Sequence, residues 1–253
     1  MLKTFFSFKS DDVGINDLRV AIFNILFAEN HDGEYIITVE NAELESKLKT
    51  IGLKKLILSE NNQSNDNIYQ ETANKLINLG CACQKDDRVI LSVSEKDIVD
   101  FKDAIKGNMT VNPSEINDFI LLKDQKNPSD DFKFIVDCYK FGTTHIIRKE
   151  SDQDLIKRQK ILNHILKRNT PATALIPEIT TDTDLTLDSL LKDGFKGKNI
   201  FNYLATIGRT DFQKFCKTRQ QIEDTFSVDS LSKVVPKFDK EHLKWMDTEC
   251  KRG

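Results

Sequence analysis

The sequence has no apolar run long enough to cross a bilayer as a helix, which takes about 20 residues. Its longest such run, Val20 to Ala28, is broken by Asn24. The N-terminus lacks signal-peptide anatomy, because acidic Asp11 and Asp12 follow directly on Met1 to Phe8. Cysteine is sparse and odd in number, with five scattered residues. That excludes a disulfide scaffold and implies a reducing, cytoplasmic setting. Only Cys81 and Cys83 lie close together, and none of the four histidines supplies zinc-ligand spacing, so no metal is expected. Ten glycines and five prolines in 253 residues exclude a linker-like or fibrous chain. There is no dominant charge either, since the net value is −3. Residues 192–253 hold 13 basic and 9 acidic residues, a balance of +4 that leaves −7 for the rest. A mildly basic C-terminal part could face phosphates, and a solvated helical surface explains it equally well.

What is present suits a globular α/β protein: 39% hydrophobic residues, 30% charged residues and 16 phenylalanines. Leu2 to Phe8 reads as a strand. Ile15 to Asn30 reads as a helix with Leu18, Ile22, Ile25 and Leu26 on one face. Asp32-Gly33 marks a turn, and Glu34 to Glu40 a β-branched strand, giving the strand–helix–strand order of a parallel unit. Ile68 to Leu79 is amphipathic and stops at Gly80. Short strands are expected between Val89 and Val111 around a turn at Asn108. Further strands are expected over Ile116 to Lys123 and over Phe132 to Cys138, and a helix over Asp152 to Lys167. Beyond Leu187 the pattern is mostly helical.

One stretch is specific. From Asp131 to Asp152 the chain reads DFKFIVDCYKFGTTHIIRKESD. It resembles the centre of the glutamyl-tRNA synthetase catalytic domain, where a Met-Gly-Ile-Thr-His-Val-Ile-Arg-Gly-Glu-Asp-like turn leads into a helix. Gly142, Thr144, His145, Arg148, Glu150 and Gln159 fall on that pattern in register. Other segments are similar in the right order. They are Val20 to Ala28, His31 to Glu40, Gln63-Ser64 with the helix to Gly80, Asp103 to Gly107, Asn117 to Leu122, Phe201 to Gly208 and Phe238 to Met246. The resemblance implies a doubly wound, Rossmann-like parallel sheet over residues 1–184, with a shortened insertion around 84–115. It implies a helical, stem-contact-like domain over 185–253, and no anticodon-binding domain.

The same resemblance locates the residues that would carry chemistry. The His-Ile-Gly-His-like motif that binds ATP falls on Gly14-Ile15-Asn16-Asp17, where the close-approach glycines become Asn16 and Asp17. Asp17 thus puts negative charge where phosphate should lie. The Lys-Leu-Ser-Lys-Arg loop that clamps pyrophosphate falls between Ile179 and Leu185, where Thr180 to Asp184 contains no lysine. In the amino-acid pocket, Glu40 matches the carboxylate for the substrate amino group and Arg148 the arginine for its carboxylate. The pocket tyrosine falls on Asp130. Phe6, Phe8 and Phe134 stand where the resemblance has alanine, serine and asparagine, and are expected to fill the pocket. Arg148 and Glu40 are expected to pair with each other or with Asp130 and Glu150. The resulting expectation is a protein without catalytic residues that binds a tRNA acceptor stem, a true synthetase or another protein. It would need neither ATP nor Mg. The rival is a glutamate-activating ligase with a divergent ATP site, which would need both.

Overall fold

The computed structural model describes residues 1–9, 11–58, 67–116, 119–124, 126–211 and 218–249. Ser10, Gln63-Ser64, Asn117-Asp118, Cys216 and Cys250 therefore lie outside the described residues. The chain opens with β1 (Lys3–Ser7), α1 (Ile15–Asn30), β2 (Glu34–Val39), α2 (Ala42–Thr50) and β3 (Leu56–Leu58). Then come α3 (Ile68–Asn78), β4 (Ala82–Lys85), β5 (Arg88–Leu91), β6 (Val99–Asp103), β7 (Gly107–Val111) and β8 (Ile120–Leu122). The second half holds α4 (Asp130–Lys140), β9 (His145–Lys149), α5 (Gln153–Ile165) and β10 (Ala172–Ile176). Helices α6 (Leu187–Lys192), α7 (Gly197–Thr206), α8 (Arg219–Asp224) and α9 (Lys240–Glu249) complete it.

Seven strands form the main sheet in the order β3-β2-β1-β9-β10-β6-β7. The first six run parallel, and β7 returns antiparallel on β6. Strand order reverses between β1 and β9, which marks the crevice where doubly wound sheets bind ligands. Alternation along β1 feeds two cores. Phe6 and Phe8 face α1, α2 and the C-terminal helices, whereas Phe5 faces α4 and α5. Leu187, Ile200, Phe201, Leu204, Ile222 and Leu243 share the first core with α1, so the C-terminal helices pack directly on the sheet domain.

Three expectations need correction. Residues 132–138 form a helix, α4, and not a strand. Ser129 caps it by accepting from the Phe132 amide, Asp130 and Asp131 sit in its first turn, and Gly142 at φ +65 follows its end. Phe132, Ile135, Val136 and Cys138 are buried at helical spacing. The strand lies further on, as β9, in the segment that reads as a turn. Secondly, the β6–β7 hairpin turns before Asn108, over residues 104–106. The Asp103 carboxylate accepts from the Ile105 and Lys106 amides, and Gly107 supplies φ +82. Thirdly, over residues 116–123 only Ile120–Leu122 is strand. It completes a three-stranded antiparallel sheet in the order β4-β5-β8.

Candidate functional site

The crevice opens because β1 and β9 pair only once, at Thr4 and His145, and then part. The freed backbone groups of β9 need partners, and Asn24 supplies them from α1. Its amide donates to the Ile147 carbonyl at 2.9 Å, and its side-chain oxygen accepts from the Ile147 amide at 3.1 Å. The Thr4 hydroxyl in turn donates to the Asn24 carbonyl. Asn24 is fully buried, so these bonds satisfy groups that would otherwise be costly. The same residue that breaks the apolar run in the sequence therefore holds the crevice open.

Arg148 reaches into this gap from the C-terminal end of β9. It is 5% exposed, with its guanidinium 5.2 Å from the Phe6 ring centre and 4.8 Å from that of Phe134. A desolvated cation stacked between two rings is favourable electrostatically. Its acidic partner is Asp152, at 2.9 Å. That corrects the expected pairing. Glu40 is exposed just beyond β2, Asp130 pairs with Lys123 at 2.9 Å, and Glu150 pairs with Lys106. The Arg148–Asp152 contact lies off the hydrogen-bond direction. Among the described residues, the buried Arg148 Nε and Asp152 Oδ2 atoms have no hydrogen-bond partner.

Phe6 and Phe8 are 2% and 3% exposed, with ring centres 4.9 Å apart in an edge-on contact. Phe134, also buried, belongs to the opposite core and stacks on Phe5 at 5.4 Å. Arg148 thus lies between Phe6 of one core and Phe134 of the other. A cleft of about 260 Å³ is left, lined by Ser7, Lys9, Asp12, Asp17, Lys149 and Asp152 besides Phe6, Phe8, Val13 and Arg148. That falls below the roughly 300–1,000 Å³ of common ligand sites.

The N-terminus of α1 forms the other wall. Gly14 occupies the N-cap without a side-chain cap. Three sets of bonds fasten the segment 177–187 against it. Asn16 makes a reciprocal pair with Ile179, accepting from its amide at 2.7 Å and donating to its carbonyl at 3.2 Å. The Ile15 amide donates to the Leu185 carbonyl, and the Leu187 amide donates to the Val13 carbonyl, around a bridge between Gly14 and Thr186. Arg19, 1% exposed, donates to the carbonyls of Pro177 at 2.8 Å and Ile207 at 3.2 Å, and burial lowers its pKa to about 10. Gly208 lies against that arginine, and a Cβ there would fall 2.4 Å from Arg19 Nη2. Asp17 pairs with Lys149 at 2.9 Å, joining α1 to β9 across the crevice.

Asn24, Arg19, Lys149 and Asp152 are site residues that sequence reasoning passed over. The first could have been found as a polar residue inside an apolar helix face. Conversely, Gly142, Thr144 and His145 sit at the opposite, N-terminal end of β9. There the Thr144 amide donates to the Lys3 carbonyl and the His145 ring contacts Phe27. Gln159 is fully buried on α5, far along the chain from any crevice-lining residue except Arg148, Lys149 and Asp152.

Comparison with known proteins agrees with this architecture. Residues 88–245 match the family model of tRNA synthetases class I (E and Q), catalytic domain. The chain belongs to that family. It is 30% identical over 248 residues to a glutamate–tRNA ligase 2 of Neorickettsia sennetsu, covering 90% of this chain and 61% of that protein. It is 24% identical over 293 residues to a glutamate–tRNA ligase of Thermodesulfovibrio yellowstonii, covering 93% of this chain and 63% of that one. The chain therefore spans less than two thirds of these curated relatives. The crystal structure of a glutamate–tRNA synthetase from Elizabethkingia anophelis superposes with a TM-score of 0.79 at 15% identity, over 96% of this chain and 69% of that one. Among the described residues, no helix is long and apolar enough to cross a membrane.

Proposed function

We propose that this synthetase-family chain does not activate glutamate and serves instead as a cytoplasmic binding module, for a tRNA acceptor stem or a protein partner. One observation carries the reading: the start of α1, where the resemblance puts phosphate, is bonded to the chain's own segment 177–187. That segment, in the place of the lysine-bearing clamp loop, makes these bonds through Asn16, Ile15 and Gly14. The residues present do not fit ATP. A triphosphate would meet the Asp17 carboxylate, and the nearest lysine, Lys149, is already paired with it. Nor does the amino-acid end have room, since Phe6 and Phe8 are packed against each other and Phe6 against Arg148. Losing one preorganised donor to developing charge costs about two to three orders of magnitude in rate, so losing both phosphate motifs removes activation.

The test is glutamate-dependent exchange of pyrophosphate into ATP, with and without tRNA. Exchange at the level of a protein-free blank is expected. Exchange well above it, abolished by Arg148→Ala, would restore the ligase reading. Binding of unacylated tRNA, followed by gel shift, separates the two kinds of partner. Retention of the acceptor stem supports the nucleic-acid role, and its absence favours a protein partner.

A further inference from the structure

On the α4–α5 side of the sheet lies a polar cluster that the crevice does not use. Gln159 of α5 is fully buried. Among the described residues, neither its side-chain nitrogen nor its side-chain oxygen has a hydrogen-bond partner. The Thr143 hydroxyl, on the approach to β9, is buried in the same condition. Its place is fixed, because the Thr143 amide donates to the Cys138 carbonyl at 2.9 Å and so closes the end of α4. The Cys138 thiol brings the two together. Burial pushes its pKa up to about 12, and Gln159 and Thr143, both beside the sulfur, oppose that shift. A thiol is a weak donor and a weak acceptor, so it does not meet the needs of an amide and a hydroxyl. Cys138 belongs to the core that holds Phe132, Ile135, Ile146 and Leu162. In such surroundings an unmet amide is costly.

We infer that Gln159 and Thr143 form an internal binding site for a single ordered water, which bridges the amide of α5 to the hydroxyl between α4 and β9. The chemistry selects water over an ion. Gln159 presents a donor and an acceptor together. An anion would meet the donor alone, and a cation the acceptor alone. Arg148 stands near enough to act on the charge of Cys138, which further opposes a cation there. Water serves both ends of the amide. A further bond to the Thr143 hydroxyl gives it the two to four polar partners that internal waters have. The bridge ties the end of α4 and the approach to β9 to α5. It is independent of the reading given above, since it concerns the opposite face of the sheet from α1.

The test is water-selective NMR on the full-length wild-type protein, labelled with nitrogen-15 in its glutamine side chains. The Gln159 amide protons should show dipolar cross-peaks to water in the rotating frame, of the sign given by water that tumbles with the protein. Thr143→Val, which keeps the branched shape and removes the hydroxyl, should weaken those peaks and shift the Gln159 amide. Gln159→Met, which keeps the chain length and removes the amide, assigns the resonance. By oxygen-17 relaxation dispersion this variant should hold one long-lived water fewer than wild type. Circular dichroism verifies that each variant folds, and the wild-type cross-peaks decide the matter even where one does not. An assigned Gln159 amide without a water cross-peak would overturn the inference. Shifts that then respond to Cys138→Ala would show a dry bond to the thiol in its place. An unchanged water count in folded Gln159→Met would overturn it as well.

Discussion

Replacing Phe6 by Ala and Phe8 by Ser, the residue types that the family resemblance carries, tests whether these rings are now core. Both side chains are almost wholly buried, at 2% and 3% exposure. Truncating a buried phenylalanine costs about 3–5 kcal/mol, the larger values where the surroundings cannot collapse. Collapse should be limited for Phe6, because the backbone of β1 is fixed by five consecutive parallel pairings with β2. Phe6→Ala also removes one of the two rings stacked on Arg148, which leaves a buried guanidinium with less compensation. The expected loss for Phe6→Ala is therefore at the upper end, about 4–5 kcal/mol. Phe8→Ser should lose about 3–4 kcal/mol, since the new hydroxyl keeps access to the cleft. Edge-on aromatic contact adds a coupling of about 0.5–1.5 kcal/mol, so the two losses should sum to more than the double variant shows. Equilibrium urea unfolding of the four proteins in the cycle measures all three quantities. A domain of this kind has only about 5–15 kcal/mol in total, so the double variant should be near its limit at 25 °C. Losses below about 1 kcal/mol for either single variant would mean the rings are not core, and the filled-crevice argument would fall.

Much of the fold was legible in the sequence, and the misses have physical causes. Helix α1 and strand β2 could be read from periodicity and from the Asp32-Gly33 turn. Helix α4 was lost because FKFIV is dense in β-favouring residues, and a short apolar run does not reveal its own period. The Ser-Asp-Asp cap before it was the signal that should have decided the matter. Strand β9 was lost for a related reason. It is central and buried on both faces, so it shows no alternation, and its Gly142-Thr-Thr approach looks like a loop. The site was legible residue by residue but not pair by pair. The family resemblance pointed to Arg148 and Asp17, and both line the crevice. It could not show that their partners are Asp152, in the turn that follows β9, and Lys149, on the far wall. Pairing across a crevice depends on where two walls stand, which is a tertiary fact. The fastening of residues 177–187 through Asn16 was out of reach in the same way, since its partners are backbone groups that any sequence carries.

The fastening itself predicts that Asn16→Ala costs about 1–3 kcal/mol, because the part-buried Ile179 amide and carbonyl lose their partner. Hydrogen exchange should then rise at Ile179 and Leu187 and stay unchanged in α5; uniform exchange across both would contradict a local strap. Asn24→Leu should cost about 2–4 kcal/mol by stranding the Ile147 amide and carbonyl between β1 and β9, and a near-neutral effect in thermal unfolding would refute that role. Lys160 gives a prediction in pH. It is 5% exposed on α5, its ammonium donates to the Pro171 carbonyl at 2.7 Å and lies 4.8 Å from the Phe101 ring centre, and burial lowers its pKa to about 8. The buried Asp103 carboxylate opposes that lowering without cancelling it. Between pH 8 and the unfolded value of roughly 10.4, the unfolded chain holds the lysine proton and the folded chain has released it, so stability rises with pH through this window. Below the folded pKa both states are protonated, and the fold carries the full cost of a buried charge. The rise should be about 2–3 kcal/mol from below pH 8 to above pH 10.5, since each tenfold change in proton affinity is worth about 1.4 kcal/mol. Other groups titrate in the same range, so the measurement is a difference. Urea unfolding of wild type and Lys160→Met across this window isolates the lysine, because the remaining groups are common to both. Wild type should gain on the variant by that amount as pH rises, and Lys160→Met should match or exceed wild-type stability at pH 7, where a well-packed apolar side chain replaces a costly ammonium. A flat difference curve would mean that the Lys160 ammonium is solvated after all, with its Pro171 bond and Phe101 contact broken in solution.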